Sequence, residues 1–95
     1  MAIKVIIERH TIPGNELELN RMLMELRAKA MHCKGYISGE TLRSLDDPNN
    51  FIVIATWDRL EDWKAWEANK ERKEIQVKID ALLRTPSRAT AYVHY

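Results

Sequence analysis

The chain is poor in the residues that staple or rigidify a small protein. It has a single cysteine, Cys33, so no disulfide can form within it and a paired-thiol metal site of the CxxC kind is excluded. Its three glycines and three prolines are scattered. They make no glycine-rich phosphate loop and no dinucleotide fingerprint, so bound nucleotide or flavin is not indicated. An excess of one charge is lacking too. The 15 basic and 14 acidic side chains leave +1, and no run of like charge forms a basic arm or acidic tail. That argues against nucleic acid as the main partner. No apolar run approaches the ~20 residues of a membrane helix. Lys4 and Glu8 interrupt the N-terminal apolar stretch and no cleavage site follows, so a cytoplasmic location is expected.

What is present suits one domain over residues 1–95, with one hydrophobic core. A domain of this size buries only about two-thirds of its unfolded surface, so a partner would add useful burial. The stretch Ile3 to Ile12 is rich in β-branched residues and ends at Pro13-Gly14, which predicts a strand and a turn. Asn15, with Glu18 three residues on, reads as a capping box opening a helix from about Glu16 to Cys33. In it Leu19, Met22, Leu23, Leu26, Ala30 and Cys33 form one apolar stripe, and Gly35 is placed to stop it in the left-handed conformation. A weaker stripe of Leu17, Met24, Ala28 and Met31 lies opposite and reads as scattered surface apolarity.

Tyr36 to Leu45 alternates weakly and reads as a second strand, Asp46 to Asn50 as a turn, and Phe51 to Trp57 as a third strand. Asp58 is the expected cap of a helix bearing Leu60, Trp63 and Trp66. The charged stretch Asn69 to Glu74 marks a bend before a last helix in which Ile75, Ile79 and Leu82 share a face. Pro86 closes the helical region and Ser87 to Tyr95 reads as a fourth strand. The order predicts an α+β, ferredoxin-like βαββαβ fold with a four-stranded antiparallel sheet whose first and third strands are central. The third strand offers Phe51, Val53 and Ala55 to one side and Ile52 and Ile54 to the other. Helices cover one face of an open sheet, so the other face calls for a cover, and the simplest is a second copy of the chain packed sheet to sheet. The same topology also builds RNA-binding domains, but the NFIVIATW strand carries no glycine-containing aromatic motif.

Four pieces, in order and spacing, carry a family resemblance. They are the first strand running into Pro13-Gly14, Gly35-Tyr36 after helix one, Asp47-Pro48 before Phe51, and Trp57 followed by an aromatic-bearing helix. Together they resemble the antibiotic-biosynthesis monooxygenase family, whose members form dimeric α+β barrels. The resemblance implies a cofactor-independent monooxygenase acting on a small aromatic quinol or phenol. Fold alone decides little, since aromatic oxygenases, haem-degrading enzymes, isomerases and proteins of no known reaction share it.

On that resemblance Trp66 matches a tryptophan that lines the pocket in the quinol-oxidising and haem-degrading branches, where a flat indole can stack on a planar substrate. A core aromatic is the alternative for Trp66, and the favoured reading for Trp63. Met22 and Leu26 would wall the same pocket. Glu8 and His10, two apart on strand one, share a face. Either could accept a phenolic proton, or the two could form an ion-paired patch at a dimer surface, the commoner arrangement for such groups. Glu8 falls where the haem-degrading branch has asparagine, and Gln76 where that branch carries its iron-ligating histidine. Glutamine is not a usual haem ligand, so haem degradation is disfavoured. His10, His32 and His94 show no ligand spacing, and neither metal nor cofactor is expected. The reading from another class is a non-enzymatic ligand-binding or regulatory dimer. The orientation of Glu8 separates the two.

Overall fold

A computed structural model describes residues 1–95. Strand β1 spans Ile3–His10, helix α1 Glu16–Ala30, β2 Tyr36–Arg43, β3 Asn50–Trp57, α2 Leu60–Glu67, α3 Lys70–Asp80 and β4 Arg88–Val93. The sheet is antiparallel throughout, in the order β2-β3-β1-β4, so β1 and β3 are central as the sequence predicts. This is the ferredoxin-like α+β arrangement, with its second helical crossover broken into α2 and α3.

The strand alternation sorts the side chains. Val5 and Ile7 of β1 point inward with their register neighbours Ala55 and Val53 of β3. Leu19, Leu23, Leu26 and Ala30, at helical spacing, bring one face of α1 down onto them. Trp57, Trp63, Trp66, Ile75, Ile79 and Leu83 complete the core. The opposite stripe of α1 is in solvent, with Leu17 87% exposed. An exposed ion pair between Lys29 and Glu71, 2.7 Å, links α1 to α3.

Several helix boundaries differ from the sequence expectation, each for a local reason. Asn15 occupies the cap position of α1 but its side chain makes no capping bond. Instead the Glu16 carboxylate accepts from the Gly14 N–H at 3.2 Å, and Glu18 pairs with Arg21 at 3.1 Å. Helix α1 stops at Ala30, three residues early. Gly35, at φ +85°, does not terminate it. That glycine forms the turn into β2. Its carbonyl accepts from the Asp58 N–H at 2.7 Å, and the Asp62 side chain packs where a Cβ would stand. The cap residue of α2 is Arg59 rather than Asp58, and its side chain makes no capping bond. The bend sits at Ala68 and Asn69, and Lys70 to Glu74 are helical. The extended Asn69 backbone breaks the helix, while its Oδ1 accepts from the Arg72 N–H at 3.1 Å. A side-chain amide thus does what no glycine or proline is present to do.

Candidate functional site

Between the inner face of the sheet and the helices lies a narrow cleft that opens to solvent. Its deep walls are Ile7, Leu23, Leu26, Ala55 and the three tryptophans Trp57, Trp63 and Trp66. Trp57 closes β3 in phase with Val53 and Ala55, so it points inward, and Trp63 and Trp66 hang from α2 on the same side. The rings of Trp57 and Trp66 lie 6.5 Å apart at 27°, those of Trp57 and Trp63 6.1 Å apart at 57°. Tyr36 meets Trp57 edge-on at 5.3 Å. The cluster gives the cleft an apolar, aromatic wall.

Polar groups in this slot are few and oddly unsatisfied. Arg9 follows Val5 and Ile7 in the inward phase of β1 and is 1% exposed. Its Nη2 donates to Gln76 Oε1 at 3.4 Å, the long limit of a hydrogen bond, and its Nε has no partner. Tyr36 Oη and Trp57 Nε1 are likewise buried without partners. Each such orphan costs about 1–3 kcal/mol, so the fold retains them against its own stability. Burial first, and then the nearby Arg72 guanidinium, push Arg9 down to about 10, with Asp80 opposing. Arg9 still carries its charge at neutral pH. Arg72 is buried too, its guanidinium 5.4 Å from the Trp63 ring centre. Gly39 borders the slot, and a Cβ there would meet the Tyr36 hydroxyl at 2.6 Å.

The residues singled out from the sequence divide between this slot and elsewhere. Trp66 and Leu26 line it. Trp63 is a core aromatic, as expected, and borders the cleft as well. Met22 is half-buried against the core but is not a cleft wall. Gln76 stands behind Arg9, outside the slot, with its amide nitrogen donating to Asp80 Oδ1 at 2.8 Å and Ser87 Oγ at 2.9 Å. Glu8 and His10 point away. Strand alternation places them with Lys4 and Ile6 on the outer face of the sheet, where Glu8 lies beside Arg88 in register. The general-base role expected for Glu8 or His10 therefore has no geometry inside this protomer's cleft. Glu40 reaches the cleft rim, but its register partner Ile54 puts it on the outer face too.

The sequence reading missed Arg9, Tyr36 and Trp57 as site residues. The signal for Arg9 was available, since the apolar pair Val5 and Ile7 fixes the inward phase and Arg9 continues it. No three of the chain's His, Cys, Asp and Glu side chains converge in a way that would hold a metal ion.

Comparison with known proteins bears on family and fold. Residues 2–78 match the family profile described as antibiotic biosynthesis monooxygenase. A conserved protein from Methanosarcina mazei superposes with a TM-score of 0.94 at 17% identity, over 100% of this chain and 94% of that one. SnoaB, a cofactor-independent oxygenase from Streptomyces nogalater, gives 0.86 at 18% identity, over 100% and 95% of the two chains. A Mycobacterium tuberculosis protein gives 0.88 at 14%, over 100% and 96%. At these identities the likeness is one of fold. Among curated proteins none matches the chain at sequence level.

Proposed function

The chain belongs to the antibiotic biosynthesis monooxygenase family, and from that premise we propose that it is a cofactor-independent monooxygenase oxidising a small aromatic quinol or phenol with dioxygen. The observation that carries the reading is the apolar slot walled by Trp57, Trp63 and Trp66, whose lining residues Arg9, Tyr36 and Trp57 each hold a buried polar atom without a partner. A flat ring stacks on Trp66, and the walls exclude water, which strengthens every electrostatic contact inside. Once its hydroxyl has lost a proton, the ring passes one electron to dioxygen. The ring radical and superoxide then combine at a ring carbon that carries hydrogen, forming a peroxide. Loss of water from that peroxide leaves a carbonyl. The protein's part is to hold the ring and favour its ionised form. No carboxylate or imidazole lies in the deep slot, so the proton leaves through the open side.

The assembly that completes this reading is a homodimer joined sheet to sheet. Leu42, Ile52, Ile54 and Ile6 run across the outer face of the sheet, and a stable contact would take roughly 800 Å² from each protomer. Sedimentation at micromolar concentration should report twice the 11.1 kDa chain mass.

The reaction is tested by oxygen uptake with metal-stripped protein and a panel of dihydroxynaphthalenes and quinols. Acceleration of at least one member supports the proposal. Acceleration of none supports the second reading, a non-catalytic ligand-binding dimer, which the lack of an internal base favours. Haem degradation is not part of the proposal, because by resemblance Gln76 stands where the haem-degrading branch carries its iron-ligating histidine, and its amide nitrogen donates to Asp80 and Ser87.

A further inference from the structure

We infer that the cleft selects planar aromatic anions, with the ionised ring oxygen held by Arg9 and the ring by the tryptophan wall. The inference rests on the reading of this cleft as the substrate site.

The argument is one of charge balance. A guanidinium taken out of water costs several kcal/mol unless it is paired. Arg9 has a single protein partner, the neutral Gln76 amide at 3.4 Å. The ion pairs of the chain use Arg21, Lys29, Arg59 and Lys64, and neither Arg9 nor Arg72 is among them. Asp80 is the carboxylate that acts on both guanidiniums, and it already accepts from Gln76. Arg27 at the rim adds a further positive charge, while Glu40 lies on the other face of the sheet. One buried cation, Arg9, thus lines an apolar slot whose one carboxylate residue, Glu40, stands at the rim.

Hydrogen-bond capacity points the same way. The buried unpartnered atoms of the slot are Arg9 Nε, Trp57 Nε1 and Tyr36 Oη. The first two can only donate and the hydroxyl can donate. A ligand that offers acceptors, and above all a charged one, satisfies what the fold leaves open. A neutral ring of the same shape would fill the slot and leave the Arg9 charge uncompensated.

The test is a binding measurement that needs no turnover. The probes are 2-hydroxy-1,4-naphthoquinone, whose hydroxyl is ionised at neutral pH, and its 2-methoxy ether, the same ring with no proton to lose. All three tryptophans line the cleft, so quenching of intrinsic fluorescence reports occupancy of this site. The hydroxyquinone should bind at least about tenfold more tightly than the ether, the strength of one charge-assisted hydrogen bond. Its coloured anion should also persist to lower pH when bound than when free. In Arg9→Met the preference should vanish while the ether binds as before, which shows that the slot is still formed. Arg9→Lys should restore part of the preference. Equal binding of the two probes by the wild-type chain overturns the inference and leaves the oxygenase proposal standing, as does a preference that survives in Arg9→Met. Binding of neither probe removes both.

Discussion

Arg9 and Gln76 meet behind the cleft across 3.4 Å, with the guanidinium donating to an amide whose own nitrogen is committed to Asp80 and Ser87. The amide is thereby fixed with its oxygen toward Arg9. It orients the guanidinium without neutralising it. Gln76 is a positioning residue, and Gln76→Glu would convert it into a counter-ion. That variant should lose the preference for anionic ligands while keeping affinity for a neutral ring, measured by the same fluorescence titration. An undiminished preference would show that Gln76 does not govern the Arg9 charge.

Trp66 is buried, so its removal acts on stability and on binding together. Trp66→Ala should cost about 3–5 kcal/mol in urea unfolding, the range for truncating a buried aromatic. Trp66→Phe should cost markedly less, yet still weaken ring binding through the smaller stacking surface. Unchanged affinity in Trp66→Phe would place the ring elsewhere in the slot.

Gly39 and Tyr36 should be coupled. Gly39→Ala forces a methyl against the Tyr36 hydroxyl and should destabilise by about 1–3 kcal/mol, as overpacking does. Tyr36→Phe removes both the obstacle and an unpartnered buried hydroxyl, so alone it should be close to neutral. The double variant should recover most of the loss from Gly39→Ala. A double-mutant cycle by thermal unfolding checks this, and simple additivity would refute the contact.

Glu8→Gln should leave ligand binding and any turnover within about twofold of wild type, because its side chain stands on the outer face of the sheet. Its effect should fall on dimer dissociation, read by sedimentation over a dilution series. A tenfold loss of activity with the dimer intact would return Glu8 to the site, through the partner.

Burial, and secondarily Glu71, raise the Cys33 thiol above its usual pKa of 9.0. The thiolate is the reactive form, so the folded chain should alkylate more slowly with iodoacetamide near pH 8 than the urea-unfolded chain. The two rates should converge as the pH rises and both thiols ionise. For stability the sign is that of an acid with a raised pKa. Ionisation favours the unfolded chain, so any contribution is lost as pH rises past the unfolded value. Equal rates at pH 8 would mean that the thiol is open to water.

The fold was legible in the sequence because its signals are periodic. The α1 stripe, the apolar β1 and β3 and the turn residues all report long-range burial by simple repetition. What escaped was local competition. Nothing in the spacing of Asn15 and Glu18 reveals that Glu16 takes the Gly14 N–H instead, or that the backbone of Asp58 serves the Gly35 turn. The site was half legible. Trp66 and Leu26 were found from spacing and resemblance. Glu8 and His10 drew attention as possible bases, whereas the phase set by Val5 and Ile7 assigns the inward place to Arg9. Orphaned donors such as Tyr36 Oη have no sequence signature at all, since only the folded arrangement shows which bonds are missing.

Helix α2 carries two of the three cleft tryptophans on only eight residues, and it is separated from α3 by the break at Asn69. It is attached to the sheet at one end and to an independently capped helix at the other. A change of length or of aromatics in such a segment leaves the strand register and the α1–α3 contact in place. Divergence in what relatives of this fold accept should concentrate between Asp58 and Asn69 rather than along the strands.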